Sequence, residues 1–454
     1  MQRLAIFRYL YVLYSLVFLL HIWNVVFADN KFDYIVGVLA ILLLLISFSG
    51  AARLFKVLGG AFVVIGLFAF ITSGNDLMQI PLWMVSNLSV LALLCMLPWM
   101  NSVVRVGGFD KTLISLLETN VSDLGKLYPR SSITTLVLAA FLNLSAASIS
   151  QDVLKENLSS FPKKIRDSFI SAATLRGFTL ALLWSPLELL LVVSIFTTGV
   201  EYLSLLPWLL LTAGITFFLD AIWGRLFYRK HPYSAQNKVL FDAKTMAVNL
   251  FHLLAALVLF LVFVIVSGNI FDLEFLLTVT ILIFPFAFAW SLLMKKGRPF
   301  LADGWENWKE KTNGMQNFVV LFISLSLFGN SLNESSFMEV MEKPILALSE
   351  YPLLIFIFIQ VFFIFMSMFG VHPVATIGIL GGVISILLEI MNPVSVAIVL
   401  VTGAVATLTV GTYGLVVTLT SMNTEQSPYH ITLRNMPFAL LFGTIGTMIA
   451  YFLL

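Results

Sequence analysis

Charge is what this sequence has least of. Only 11% of its 454 residues are Asp, Glu, Lys or Arg, while 59% are hydrophobic. A soluble domain carries roughly 25% charged residues. This chain lacks the polar surface to coat a water-exposed globule of its size, so lipid must be the solvent for most of it. Cysteine is nearly absent too. Cys95 stands alone, which excludes an intrachain disulfide and a cysteine metal cluster; inside an apolar run it reads as packing. The five histidines (His21, His231, His252, His372 and His430) are scattered, with no pair at metal-ligand spacing. There is no His-Glu-X-X-His, no Gly-X-X-X-X-Gly-Lys phosphate loop and no Gly-X-Ser-X-Gly. These absences argue against an enzyme, a catalytic residue set, a metal centre, an organic cofactor and ATP drive. Energy must then come from an ion gradient or a partner. A net charge of +2 with no basic arm argues against nucleic acid.

What the chain does have is long apolar runs. A span needs about 20 such residues. Tyr9–Ala28, Tyr34–Phe48, Leu54–Thr72 and Trp83–Met100 come first. Ile133–Ile149 is short and turns polar, and Phe169–Val200 is long and interrupted. Leu203–Leu226, Met246–Ser267, Leu273–Met294 and the short Met315–Asn330 follow, then the long, interrupted Leu353–Met391. Pro393–Tyr413 and Met436–Leu454 complete the set. The expectation is an all-α polytopic membrane protein with about 10–13 transmembrane segments. Arg3 and Arg8 before an apolar run, with Val26-Phe27-Ala28 after it, resemble a signal peptide. Tyr9–Ala28 is long enough to span, and an uncleaved first helix is the preferred reading.

Positive charge marks the cytoplasmic side. Phe161-Pro-Lys-Lys-Ile-Arg166 reads as cytoplasmic. So do the loop with Arg225, Arg229, Lys230, Lys238 and Lys244 and the stretch with Lys295, Lys296, Arg298, Lys309 and Lys311. Ser331–Tyr351, with four glutamates and one lysine, reads as external.

The two interrupted runs share a spacing. Asn143 precedes Pro186 by 43 residues, and Asn330 precedes Pro373 by the same interval. Each half would then read as a short apolar helix, an Asn/Ser-rich tip, a polar stretch and a broken span. The tips would be Leu142-Asn-Leu-Ser-Ala-Ala-Ser148 and Phe328-Gly-Asn-Ser-Leu-Asn333. A proline inside a membrane helix frees a backbone carbonyl, which hydrocarbon does not tolerate unless protein or a watery cavity satisfies it. Broken helices in matching halves point to a transporter's midplane site. Expected divisions are N-terminal helices over 1–100, a first repeat over 101–226, connecting helices over 227–293 and a second repeat, expected to be inverted, over 294–454.

Asn143-Leu-Ser145, Trp184-Ser-Pro186, Gly329-Asn-Ser331 and Gly370-Val-His-Pro373 carry a resemblance to the ion transporter superfamily. That group includes divalent-anion symporters, arsenite pumps and sodium/proton antiporters. The resemblance runs from roughly Asn101 to the end. It implies inverted repeats, re-entrant hairpins and helices broken near the membrane centre. The strict Ser-Asn-Thr tip signature is absent, so the substrate does not carry over.

Glu188, two residues after Pro186, is the sharpest candidate. It reads either as a coupling carboxylate for protons or sodium or as a cap on the restarted helix. His372, before Pro373, reads as a proton switch or as a histidine hydrogen-bonded at a kink. Arg176 reads as an anion contact, a partner for Glu188, or a snorkelling side chain. Asp220 is expected to pair with Arg225 or to be solvated. Asn143, Ser145, Ser185, Asn330 and Ser331 would line a substrate site or cap the hairpin helices. The threonines from Thr402 to Thr418 read first as packing.

The reading reached is a secondary transporter for a small anionic solute, coupled to protons or sodium, in a bacterial cytoplasmic membrane. Its partners would be the bilayer and the solute, with a second copy of the chain also admitted. Sodium is the one candidate bound ion. Two other readings stay open: a flippase for an envelope lipid or lipid-linked precursor, and a non-transporting scaffold or membrane enzyme.

Overall fold

Backbone N–H and C=O groups cannot face hydrocarbon unpaired, so apolar runs of this length take helical form. The computed structural model describes residues 9–27, 30–109, 121–233 and 243–454. Arg3, Arg8, Ala28 and Lys238, used above, lie outside the described residues. Among the described residues the regular elements are all helices. Nine are long and apolar enough to span, or up to eleven if Gly297–Asn313 with Gln316–Asn333 and Pro373–Ile379 with Gly381–Ile390 each count as one span. The all-α polytopic class is therefore as expected. Side chains such as Phe68 and Phe218 stand 69% and 64% exposed, as lipid-facing residues do.

In chain order the helices are α1 (Leu10–Phe27), α2 (Asn30–Gly50), α3 (Arg53–Thr72), α4 (Ile80–Trp83), α5 (Leu88–Gly107), α6 (Leu124–Leu142) and α7 (Leu144–Asn157). Next come α8 (Lys163–Leu182), α9 (Leu189–Thr198), α10 (Tyr202–Tyr228), α11 (Ala243–Phe271), α12 (Phe275–Leu293), α13 (Gly297–Asn313) and α14 (Gln316–Asn333). The last are α15 (Phe337–Leu348), α16 (Pro352–Met368), α17 (Pro373–Ile379), α18 (Gly381–Ile390), α19 (Pro393–Val410), α20 (Leu415–Thr424) and α21 (Pro428–Phe452).

The chain divides into two compact units. Unit 1 draws its described residues from Met1–Gly107, Phe260–Ala347 and Gly378–Ile386, and unit 2 from Gly108–Leu259, Leu348–Ile377 and Leu387–Leu454. These units cut across the divisions expected from hydropathy. The stretch 294–347, expected to open the second repeat, belongs to unit 1.

In unit 1, α14 lies against α2 and α3, close enough that a Cβ on Gly59 would stand 2.5 Å from Val320. Trp99 of α5 is wedged among Phe284 of α12 and Phe300 of α13. Polar residues of α1 find partners on neighbouring helices: Tyr14 with Ser47 at 2.7 Å and His21 with Ser89 at 2.9 Å.

Unit 2 contains two sets of helices in the same order. Each has a short helix ending at a residue of positive φ, then an interrupted span, then a long closing helix. The first set is α6, the turn at Asn143 (φ 46°), α8 and α9, and α10. The second is α16, the turn at Gly370 (φ 82°), α19 and α20, and α21. The same interval of chain separates Asn143 from Gly370, Ser185 from Thr412 and Tyr202 from Tyr429.

The two sets run in opposite senses. Asp167 and Arg176 of α8 meet Gln426 and Asn435, so α8 is parallel to α21. Asn392 and Thr402, at the start and middle of α19, meet Leu453 and Gly446, so α19 is antiparallel to α21. The basic segments collect at one end of the unit, where α6 and α8 start and α10 finishes. There the Leu124 N–H donates to His231 O at 2.9 Å, and the Ser168 and Tyr228 hydroxyls lie 2.7 Å apart. The acidic segment before Tyr351 leads into α16, which begins at the opposite end. Within unit 2, a second half that begins at Pro352 is antiparallel to the first.

Two expectations are corrected. Phe328–Asn333 is not a hairpin tip, because α14 runs unbroken to Asn333. Gly329 sits inside the helix, and the Asn330 amide is satisfied by Trp83 O at 2.9 Å and Ser86 Oγ at 2.8 Å. Leu353–Met391 is interrupted as expected, at 369–372 with Pro373 opening α17, but it is not the span that matches the first broken one in unit 2. That span is instead the run read as continuous, Pro393–Tyr413, which stops at Gly411 and restarts as α20.

Candidate functional site

The first interruption follows from Pro186. Without an N–H at that position the ladder from α8 cannot continue, and residues 183–188 leave the helix before α9 begins. The freed groups are recovered locally. Tyr202 donates its hydroxyl to Trp184 O at 2.8 Å, and Ser185 donates to Ala140 O at 2.9 Å. The latter bond ties the interruption to the last turn of α6, beside Asn143. The Asn143 amide donates to Glu188 Oε2 at 2.8 Å. The turn of the first hairpin therefore touches the interruption of the first broken span through two side chains, both singled out from the sequence.

Glu188 is 5% exposed and also caps α9, its Oε1 accepting from the Leu190 N–H at 3.5 Å. Among the described residues no ion pair involves it; Arg176 pairs elsewhere. A carboxylate taken out of water without a cation beside it is expensive. Ser145, two residues past the turn, is exposed.

The second interruption spans Gly411-Thr-Tyr-Gly414, with Gly411 at φ −70°, ψ 93°. Here glycine matters through close approach. A Cβ on Gly370 would lie 3.1 Å from Tyr413 Cβ, and one on Gly411 would lie 3.7 Å from Ser367 Cβ. The turn after α16 thus rests on this interruption, as the Asn143 turn rests on the other. Thr412 pairs with Thr432 at 3.1 Å, and the Tyr413 and Tyr429 hydroxyls are hydrogen-bonded. His372 accepts the Val374 N–H on Nδ1 at 3.3 Å, the role of a kink-capping histidine. The broken spans pack on each other, α19 touching both α8 and α9.

Arg176 lies off this site in a closed network. Its Nη1 donates to Asp220 Oδ1 at 2.6 Å, Nε to Asn435 Oδ1 at 3.0 Å and Nη2 to Arg434 O at 3.2 Å. The Tyr128 hydroxyl donates to Asp220 Oδ2 at 2.9 Å. The guanidinium also lies 4.4 Å from the Trp223 ring centroid. Arg176 and Asp220 are 3% exposed. Asp220 pairs with Arg176 and not Arg225, and Arg176 pairs with Asp220 and not Glu188. Four helices (α6, α8, α10 and α21) meet at this one guanidinium.

Of the residues proposed from sequence, Asn143, Ser185 and Glu188 are joined by direct hydrogen bonds or through the α6 turn. Ser145 and His372 also belong to unit 2, whereas Asn330 and Ser331 take their places in unit 1. Sequence reasoning missed Tyr413 and the tyrosine pair Tyr202/Tyr429, took Gly370 only as part of a resemblance motif and read Thr412 first as packing. The available signals were two glycines three apart inside an apolar run, and two tyrosines at matching places in the repeat. Thr402, Thr407 and Thr409 bond carbonyls of their own helix, as packing threonines do. No group of three or more His, Cys, Asp or Glu residues that could hold a metal occurs among the described residues.

No protein-family model matches this chain, and no curated protein does. A solved structure does: that of the YdaH transporter of Alcanivorax borkumensis, described as revealing an unusual topology. The two share a TM-score of 0.60 at 13% sequence identity, over 87% of this chain and 98% of that one. At that identity the likeness is one of fold. The chain thus has the fold of a membrane transporter.

Proposed function

We propose that this protein is a secondary transporter that carries a small anionic solute across the cytoplasmic membrane, driven by protons or sodium. One observation carries the reading. Two antiparallel interrupted helices pack side by side, and a buried carboxylate with no cationic partner among the described residues sits at one interruption. A continuous pair of helices would serve a scaffold equally well. Interruptions in apolar helices cost backbone hydrogen bonds, and polar cargo or ions are what such exposed groups serve.

The anionic preference rests on the ends of the half-helices. α7, α9 and α20 all start at the turns and interruptions. Their first N–H groups and dipoles place partial positive charge there. The solute would contact Asn143, Ser145, Ser185, His372 and Thr412. Glu188 would take the coupling ion: sodium through its carboxylate and the Asn143 carbonyl oxygen, or a proton on the carboxylate alone. Arg176, with its donors committed to Asp220, Asn435 and the Arg434 carbonyl, is assigned to holding the helices.

Purified protein in proteoliposomes, under an imposed sodium or pH gradient, should accumulate at least one member of a panel of labelled small carboxylates and inorganic anions. Vesicles carrying fluorescent lipid report the rival reading in the same preparation. Lipid scrambling with no solute uptake would replace the proposal with that of a flippase.

A further inference from the structure

The basic end of unit 2 is fastened across the two repeats. Gln151 of α7, 1% exposed, donates to Thr420 Oγ1 at 2.8 Å and to Thr174 Oγ1 at 3.2 Å. Its carbonyl oxygen accepts from Asn423 Nδ2 at 3.1 Å. One turn further out, Lys155 donates to Asn423 O at 2.9 Å and pairs with Glu425 at 3.3 Å. Lys163, at the start of α8, reaches the other oxygen of Glu425 at 3.8 Å. The outer end of α20, from the second repeat, is thus gripped by α7 and α8 of the first. At the matching end of α9 the polar side chain Thr198 bonds only carbonyls of its own helix.

α20 joins α19 only through Gly411–Gly414, a stretch that is already non-helical and bounded by glycines. Such a short rigid rod on a glycine-bounded joint can swing as one body. Its far end is held by groups that release readily. The Lys155–Glu425 and Lys163–Glu425 pairs are solvent-exposed, so each is weak and screened by salt. The surrounding Lys126, Lys163, Lys164, Arg166, Arg225 and Arg229 put this end at the cytoplasmic face by the positive-inside rule.

We propose that Gln151, Lys155 and Lys163 of the first repeat, with Asn423 and Glu425 of the second, form a latch. Closed, it shuts the solute site from the cytoplasm; released, it lets α20 swing on Gly411–Gly414 and opens the site to that side. The proposal rests on the transport reading above, but its test does not need the cargo.

Ser145→Cys places a thiol at the exposed turn of the first hairpin, and the one native thiol, Cys95, is buried. A membrane-impermeant thiol reagent is applied from the cytoplasmic side in inside-out vesicles, or from the other side in right-side-out vesicles. Adding Glu425→Gln or Lys155→Gln should raise the cytoplasmic-side modification rate several-fold and leave the opposite rate unchanged or lower. In the protein with an intact latch the cytoplasmic-side rate should climb with ionic strength, and Glu425→Gln should flatten that dependence. Equal rates with and without the latch residues, or a rise equal from both sides, would overturn the latch. Separately, Lys155→Cys with Glu425→Cys, joined by a bifunctional thiol cross-linker long enough to replace the two side chains, should stop uptake, and uptake at the uncross-linked rate would equally overturn it. If no solute moves in any form, the transport reading fails while the labelling still decides the latch.

Discussion

Removing the carboxylate of Asp220 is the most informative perturbation of unit 2. In Asp220→Ala the Arg176 guanidinium keeps Asn435 and the Arg434 carbonyl but loses its charged partner, in a setting where both members of the pair are 3% exposed. The Tyr128 hydroxyl loses its acceptor in the same step. Breaking a buried pair from one side costs about 3–5 kcal/mol, because the remaining charge stays buried. For a cooperative unit of this size each kcal/mol moves the midpoint by about 2–4 °C, so a fall of roughly 6 to 20 °C is expected. Arg176→Met with Asp220→Leu removes both charges at similar volume, and such replacements are often neutral. Melting in detergent, followed by tryptophan fluorescence, to which Trp223 beside Arg176 contributes, reads both. A single variant within about 1 °C of the parent, or a double variant worse than the single, would refute the assignment of Arg176 to helix fastening.

Three further outcomes follow from the geometry. A Cβ on Gly224 would lie 2.0 Å from the Tyr128 ring, and one on Gly177 would lie 2.2 Å from Ser132 O. Each Gly→Ala should therefore lower the melting midpoint by the equivalent of about 1–3 kcal/mol, whereas Gly214→Ala, where a Cβ meets nothing within 4 Å, should leave it unchanged or raise it. Asn143→Ala keeps the φ of 46° and loses the bond to Glu188, whereas Asn143→Gly loses only the bond. The alanine variant should melt lower by about 1–2 kcal/mol, and equal midpoints would count against strain at the turn. Asp123 caps α6, and the Ser122 hydroxyl, followed by the Lys126 N–H, holds its carboxyl below the usual carboxylate range. A depressed carboxyl contributes stability that is present above its unfolded value, about 3.9, and lost as pH falls through the folded one. Asp123→Asn should flatten the acid limb of the melting profile, and an unaltered limb would dismiss the cap.

Much of the site was legible because its chemistry is local. Pro186 removes an N–H wherever it stands, and a carboxylate two residues on is conspicuous in an apolar run. Asn143 stood out as the polar residue ending a short helix. The second half was misread for a physical reason. Its interruption uses glycine close approach, not proline, and glycine inside a membrane helix usually signals packing. Pro373 and Asn330 copied the first half's spacing by coincidence of composition, and that pairing set the second half in the wrong register. The true register shows in Tyr202 and Tyr429, whose shared role is visible only once each is seen to reach its own interruption. Arg176 and Asp220 are 44 residues apart, and no local pattern announces a contact made by the folding of four helices.

The central claim is that the carboxylate at the first interruption takes the coupling ion. The direct measurement is the sodium and pH dependence of solute uptake by proteoliposomes bearing the parent protein or Glu188→Gln. The account predicts that the variant still folds and still exchanges solute across an unenergised membrane, yet no longer accumulates it against a gradient. Accumulation by Glu188→Gln with the parent's ion dependence would contradict it.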